Sequence, residues 1–275
     1  MIQELFHIGP LSISPFGVTM VLAFVAAFFQ LRWGLRRLAI GSEDDASAIT
    51  LAAGIGGILG AKVYYALLYR DLGLLFSRSG LVWYGGFILA VVGILWTVRR
   101  RRLPLWGTLD AGAVALALGY GIGRIGCFLV GDDYGVPTDQ PWGVIFPHGL
   151  PPTTAANLRS LFGVDIPANV PPGELLAVHP TQLYETALAL LIWWIGLKLL
   201  RQPRSGTALL GVVSLLAVER FLVEFLRAKD DRFLAGLTLA QGISLAVVLL
   251  CVVLWRFRGS VTAVATHPRP KRKKA

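Results

Sequence analysis

The stretch Gly119–Gly135, GYGIGRIGCFLVGDDYG, decides how this chain is read. It sets Arg124 among apolar residues in a glycine-spaced helical run. An arginine near the middle of a membrane span costs about 2.5–3.5 kcal/mol on insertion scales, so it either snorkels from a helix end or faces a protein interior or aqueous cavity. Gly119, Gly121, Gly123 and Gly126 leave room for a second helix or a ligand to approach the backbone. Asp132, Asp133 and Tyr134 bring polar groups back where the span ends.

The composition agrees with a membrane setting. Of 275 residues, 55% are hydrophobic and only 15% charged; the mean hydropathy is +0.64. This balance excludes an ordinary soluble domain and indicates a polytopic membrane protein. Cys127 and Cys251 fall in different expected spans, so no structural disulfide is expected. The net charge of +10 sits in short loops beside spans, which fits membrane topology and anionic lipid, with no nucleic-acid partner expected. Glu4 replaces a basic leader, and FFQLRWGLRR (28–37) lacks a small-residue cleavage site, so the first span is expected to remain.

Working outward, the apolar runs place spans at about Phe16–Trp33, Ala46–Tyr69, Leu81–Val98, Leu105–Leu129, Thr181–Leu200, Gly206–Leu226 and Leu234–Trp255. Before the first, Pro10 and Pro15 block an early helix, and residues 1–14 are read as a half-inserted entry segment. Between Val130 and Val178 the periodicity lapses into VPTDQPWG, FPHGLPP and DIPANVPPGE, the composition of an extramembrane insertion. The expected fold is therefore all-α. Seven transmembrane helices occupy residues 1–259, a small extracytoplasmic head at 130–178 lies between helices 4 and 5, and residues 260–275 form a basic cytoplasmic tail. With seven spans, Arg32/Arg36/Arg37, Arg99–Arg102, Lys198/Arg201/Arg204 and the tail all fall on one face. The positive-inside rule then puts the C-terminus in the cytoplasm and the N-terminus and head outside it.

Polar residues recur at one depth, toward the outer ends of the spans. WYGG opens the third with Tyr84, HPTQLYE (179–185) opens the fifth with His179, Gln182, Tyr184 and Glu185, and ERFLVEFLR (219–227) ends the sixth. Of these, Arg220, Glu185, Glu219 and Glu224 are read as lining one polar cavity together with Arg124, the alternative being separate structural ion pairs. Arg220 and Glu224 share a helix face at four-residue spacing. Two arginines without an acidic excess beside them suit a phosphate, which a guanidinium fork binds bidentately. In a membrane the abundant phosphate is a phospholipid headgroup. The sequence contains no HExxH, CxxC, P-loop or GxSxG pattern, which removes support for zinc protease, nucleotide and serine-hydrolase readings.

At these residues the chain resembles the prolipoprotein diacylglyceryl transferases of bacterial inner membranes. The likeness is carried by SISPFGVTM (12–20), GAKVYYALLY (60–69), WYGGF (83–87), the Asp110-to-Gly135 stretch, HPTQLYE and RFLVEFLR (220–227). It implies transfer of the diacylglyceryl group of phosphatidylglycerol to the lipobox cysteine thiol of a prolipoprotein, with glycerol phosphate released and neither metal nor organic cofactor required. Against the family pattern G-R-x-G-N-F-x-N-x-E-x-x-G, Arg124, Gly126, Phe128 and Gly135 match. Cys127 and Val130 stand for the two Asn, and Asp132 for the Glu. Tyr84 stands where many members have His, and Phe16 where many have Tyr. The resemblance makes Arg124 and Arg220 the expected phosphate clamp, with Glu224, Tyr84 and His179 as candidate bases and Gly126, Cys127, Gly135, Gln182 and Tyr184 lining the substrate site. A divergent relative, or a lipid-binding or transport protein, is the alternative.

Overall fold

The computed structural model describes residues 4–8, 11–76, 82–229, 232–234 and 236–257. The basic tail expected at 260–275 lies outside them. The chain opens with an antiparallel hairpin, β1 (Phe6–Ile8) and β2 (Leu11–Ile13). Helix α1 (Pro15–Arg37) follows at once: Ser14 caps it by accepting from the Gly17 N–H, and Pro15 takes the first position, where no N–H is needed. Helix α2 (Glu43–Tyr69) begins in a capping box formed by Ser42 and Asp45. Glu43, Asp44 and Asp45 in its first turn face the positive end of the helix dipole.

Helix α3 (Trp83–Arg100) returns beside α2. Helix α4 (Leu105–Val130) starts after Pro104 and stops at Gly131, whose φ of 72° is a left-handed cap that glycine adopts without strain. A short α5 (Ala155–Phe162) precedes α6 (Thr181–Leu199) and α7 (Thr207–Val223), which tightens into one 3₁₀ turn at Glu224–Leu226. A second small hairpin, β3 (Arg232–Leu234) and β4 (Leu237–Thr238), leads into α8 (Leu239–Phe257). The last helix therefore begins at Leu239, later than the apolar run from Leu234 suggests, because a turn through Gly236 at φ 76° comes first.

The molecule is a mostly helical membrane protein. Among the described residues, four helices, α1, α2, α4 and α8, are long and apolar enough to cross a bilayer. Many of their apolar side chains point outward, among them Val21 (63% exposed), Ile58 (64%) and Leu249 (65%), as a lipid-facing surface requires. The centre is α4, which packs against α1, α6 and α7, while α3 packs chiefly on α2 and α8 on α7. Small residues make this closeness possible. Thr19 of α1 lies where a side chain on Gly126 would stand, with the Phe16 ring 3.3 Å from that point.

One buried carboxylate and two surface ion pairs tie one end of the bundle. The Asp110 carboxylate of α4, 5% exposed, accepts from the backbone N–H groups of Gly206 and Leu209, the latter at 2.7 Å, and so caps α7 from a neighbouring helix. At the same end, Arg36 pairs with Glu43 at 2.9 Å and Arg101 with Asp45 at 2.9 Å, joining the ends of α1, α2 and α3.

The segment between α4 and α6 has its own core of Tyr134, Phe146, Ala155, Leu158, Ile166 and Val178, with Phe128 packed below it. Tyr134, read in the sequence as a polar return, is instead 2% exposed, with its ring stacked on Phe146 and its hydroxyl donating to the Pro151 carbonyl. The polypeptide crosses itself here. Gly135 N–H donates to the His179 carbonyl and Val136 N–H to the Leu226 carbonyl, fastening the end of α4 to the starts of α6 and the chain after α7. A Cβ on Gly135 would lie 2.7 Å from the His179 Cβ and closer still to the Leu226 carbonyl, so only glycine fits.

Candidate active site

Three helix ends converge below that crossing and bring three arginines together. Arg124 comes from α4, Arg220 from α7, and Arg227 from the chain just beyond it. Between them stands Glu185 of α6, 1% exposed. Its carboxylate accepts from Arg124 Nε at 2.5 Å and from Arg124 Nη2, and lies 3.5 Å from Arg220 Nη1 and 3.7 Å from Arg227 Nη1. The Tyr120 hydroxyl, one turn before Arg124 on the same face of α4, lies 3.2 Å from Glu185 and 3.4 Å from Glu219. Such a group of charges is stable in a low-dielectric interior only because each is matched.

The remaining partners complete the matching. Glu224, 4% exposed, pairs with Arg220 Nη2 at 2.6 Å and accepts from the Thr238 hydroxyl at 3.0 Å. Asp133, in the loop after α4, accepts from Arg124 Nη1 at 3.0 Å and from Arg227 Nη2. Burial by itself would raise the Asp133 carboxyl, but Arg227 and Arg124 outweigh it and hold the group below the usual carboxylate range. Its neighbour Asp132 moves the other way: burial and the adjacent Asp133 charge push it up. The expectation of two arginines without an acidic excess is thus corrected. Arg227 and Asp133 join Arg124, Arg220, Glu185, Glu219 and Glu224, the residues expected to share the cavity, so every guanidinium already faces a carboxylate.

The other expected residues occupy a second tier. Gln182, fully buried, donates to the Asp132 carbonyl at 2.5 Å and holds the loop that carries Asp133. Cys127, 8% exposed, has its sulfur 3.5 Å from Arg124 Nη1. Tyr184 receives the Trp142 indole N–H at 2.7 Å and stands 3.2 Å from His179 Nδ1. A hydroxyl that already accepts from Trp142 can still donate to Nδ1, the arrangement that suits a neutral imidazole. Burial supports this by pulling His179 below its ordinary value. Tyr84 is 46% exposed on the first turn of α3, beside Gly85, which packs on α2. Among the described residues, the ion pairs and hydrogen bonds of the arginine cluster do not include Tyr84.

Metal chemistry has one geometric candidate. Cys127, Asp132 and Asp133 place ligand atoms within 4.8 Å of one another. Asp133 is already claimed by two guanidiniums and Cys127 faces a third contact from Arg124, so a cation there would meet like charge. The groups there that suit an anion are the guanidiniums of Arg124 and Arg227.

A model of the family described as prolipoprotein diacylglyceryl transferase matches residues 3–257. Phosphatidylglycerol–prolipoprotein diacylglyceryl transferase of Xylella fastidiosa (strain 9a5c) is 34% identical over 96% of this chain and 94% of its own length. The enzymes of that name from Stenotrophomonas maltophilia (strain R551-3) and Xanthomonas oryzae pv. oryzae (strain PXO99A) are 32% and 34% identical, each over 90% of this chain and 88% of the relative. The chain belongs to the prolipoprotein diacylglyceryl transferase family.

Membership gives the departures in sequence a structural setting. Cys127 offers Arg124 a weak sulfur acceptor where the family pattern has an amide. Asp132 turns its backbone carbonyl to Gln182. The residues missed as site members were Tyr120 and Asp133. Tyr120 had a usable signal, its four-residue spacing from Arg124 on one helix face; Asp133 lies nine residues after Arg124 but past the helix end, where no helical spacing applies, and its other partner Arg227 is distant in sequence.

Proposed function

We propose that this chain transfers the diacylglyceryl group of phosphatidylglycerol to the lipobox cysteine of prolipoproteins, the first step of lipoprotein maturation. The observation that carries this reading is the buried cluster of Arg124, Arg220 and Arg227 inside an apolar helix bundle whose whole length matches the family. The sulfur of the acceptor forms a bond to the glyceryl carbon as the carbon–oxygen bond to phosphate breaks. The electron pair leaves on glycerol phosphate, and the thiol proton passes to a base. A free thiol is only a few per cent ionised at neutral pH, so the site must favour thiolate.

Arg124 and Arg220 hold the phosphate and stabilise the charge that grows on it, in a site screened from water. Of the base candidates Glu224, His179 and Tyr84, Glu224 is the one in contact with a clamp arginine. Gly126 and Gly135 allow the close packing around the clamp, and Cys127, Gln182 and Tyr184 line it. The enzyme lies in the bacterial inner membrane with seven spans, formed by α1 to α4 and α6 to α8. The 130–178 segment is an extracytoplasmic head over the cavity, with the N-terminus outside and the C-terminus in the cytoplasm. That sidedness follows from the basic residues at the C-terminal ends of α1, α3 and α6.

The test uses purified protein in micelles with phosphatidylglycerol and a lipobox peptide. Gain of one diacylglyceryl mass on the peptide cysteine, together with glycerol phosphate release, is expected, and both vanish in Arg124→Ala. No gain from well-folded protein across several anionic lipids and peptides overturns the reading and leaves a lipid-binding scaffold.

A further inference from the structure

The charge balance of the arginine cluster is complete before any substrate arrives. Arg124, Arg220 and Arg227 are ion-paired to Glu185, Glu224 and Asp133. A phosphodiester brings one further negative charge. Added to a balanced set, it meets carboxylates as well as guanidiniums, and binding is favourable only if one carboxylate withdraws.

The three carboxylates differ in their freedom to leave. The side chains of Glu185 and Glu224 are 1% and 0% exposed, enclosed among helices, whereas that of Asp133 is 44% exposed. The guanidiniums it joins are covered, with Arg124 at 10% and Arg227 at 8% side-chain exposure. One carboxylate oxygen of Asp133 meets Arg124 and the other meets Arg227, the arrangement in which two oxygens of a phosphate bridge two guanidiniums. The Asp133 backbone is anchored separately, its carbonyl accepting from the Thr181 hydroxyl at 2.8 Å. It also sits at φ 57°, the left-handed region that a non-glycine residue enters only where the surroundings impose it. The loop therefore presents the carboxylate to the arginines while leaving it a path to water.

We propose that the Asp133 carboxylate is the built-in occupant of an anion site formed by Arg124 and Arg227, beside the Arg220 guanidinium of the clamp, and that an incoming phosphate group held by Arg124 and Arg220 takes its place. This rests on the transferase reading for the identity of the lipid but not for the anion site itself. Asp133 is a positioning residue: it bridges the two guanidiniums until the phosphate arrives. It also sets a threshold, since every ligand must compete with it. The pattern G-R-x-G-N-F-x-N-x-E-x-x-G leaves this position open, so the competing carboxylate belongs to this chain's own loop.

The test compares the full chain with Asp133→Asn, a variant that keeps the side-chain shape and tolerates the left-handed backbone. Two probes are titrated in neutral detergent: inorganic phosphate, read by the thermal shift it produces, and phosphatidylglycerol, read by native mass spectrometry and by KM in the peptide transfer assay. Asp133→Asn is expected to bind the anion about two- to five-fold more tightly, the scale of a part-exposed ion pair, with KM for phosphatidylglycerol falling in step. Tightening for both probes makes the bare phosphate group the competitor; tightening for the lipid alone makes it the headgroup in its lipid setting. Unchanged or weaker binding of both probes overturns the proposal, because a merely structural aspartate would disorder the arginines. If Asp133→Asn binds phosphate more tightly while the wild type transfers nothing to peptide, the anion site stands and the transferase reading falls. Transfer by the wild type with no effect of Asp133→Asn on either probe gives the reverse.

Discussion

Replacing Glu185 by Gln removes the one charge on which the arginine cluster turns while keeping the side chain's shape. Glu185 is 1% exposed and lies within ion-pair distance of all three guanidiniums, the two longer contacts being 3.5 and 3.7 Å. Its amide replacement can still accept one hydrogen bond from Arg124 but leaves one buried positive charge without a match. Removing one partner of a buried pair costs about 3–5 kcal/mol. At about 2–4 °C per kcal/mol for a chain of this size, the apparent Tm in neutral detergent falls by about 6–20 °C. Differential scanning fluorimetry of the two purified proteins reads this directly. The double variant Glu185→Gln/Arg227→Gln restores the charge balance and is expected to regain at least half of the lost Tm, while peptide transfer stays low because Arg124 has lost its orienting carboxylate. A single variant melting within about 2 °C of the wild type would show that the cluster is not held by matched charge, and the reasoning would fail.

Other perturbations probe the frame around the cluster. Gly135→Ala drives a methyl group into the Leu226 carbonyl and the His179 side chain, so overpacking of about 1–3 kcal/mol and loss of transfer are expected; a normal melting curve with full activity refutes the crossing as described. Asp110→Ala leaves the first N–H groups of α7 unsatisfied in the interior, at about 1–3 kcal/mol, and is expected to lower Tm with KM for lipid unchanged. Tyr120→Phe removes the hydroxyl between Glu185 and Glu219 and is expected to reduce kcat about ten-fold or more, measured at saturating lipid; an unaltered kcat assigns Tyr120 to packing alone. Burial holds His179 below its ordinary 6.5, so the unfolded chain takes up this proton first, and the stability it contributes is lost as pH falls through that value. His179→Gln is expected to flatten Tm against pH between about 5 and 7, and a slope identical to the wild type refutes the lowered His179 value.

Much of the architecture was legible because apolar runs and helix caps are local signals. The α4 bounds expected from hydropathy, Leu105–Leu129, end one residue from those observed, since Pro104 and Gly131 punctuate the run. The start of α8 was misplaced, because an apolar run cannot reveal the hairpin that interrupts it at Gly236. The shared depth of Arg124, Arg220, Glu185, Glu219 and Glu224 predicts one polar cluster; the side chains of Arg124, Arg220, Glu185 and Glu224 meet, and Glu219 reaches them through Tyr120. His179 and Tyr184, at the same depth by sequence, bond instead to one another and Trp142.

The sequence alone determined that this chain is a helical membrane protein of the diacylglyceryl transferase family with buried arginines at its centre, because hydropathy, glycine spacing and motif residues are properties of neighbouring positions. Only the tertiary structure decided how those arginines are neutralised. Arg124 meets Glu185 from 61 positions away and Arg227 meets Asp133 from 94, and charges at such separations become partners through helix packing alone. An isolated arginine in a sequence advertises a binding site; the same arginine among its folded partners shows which carboxylate a ligand must displace.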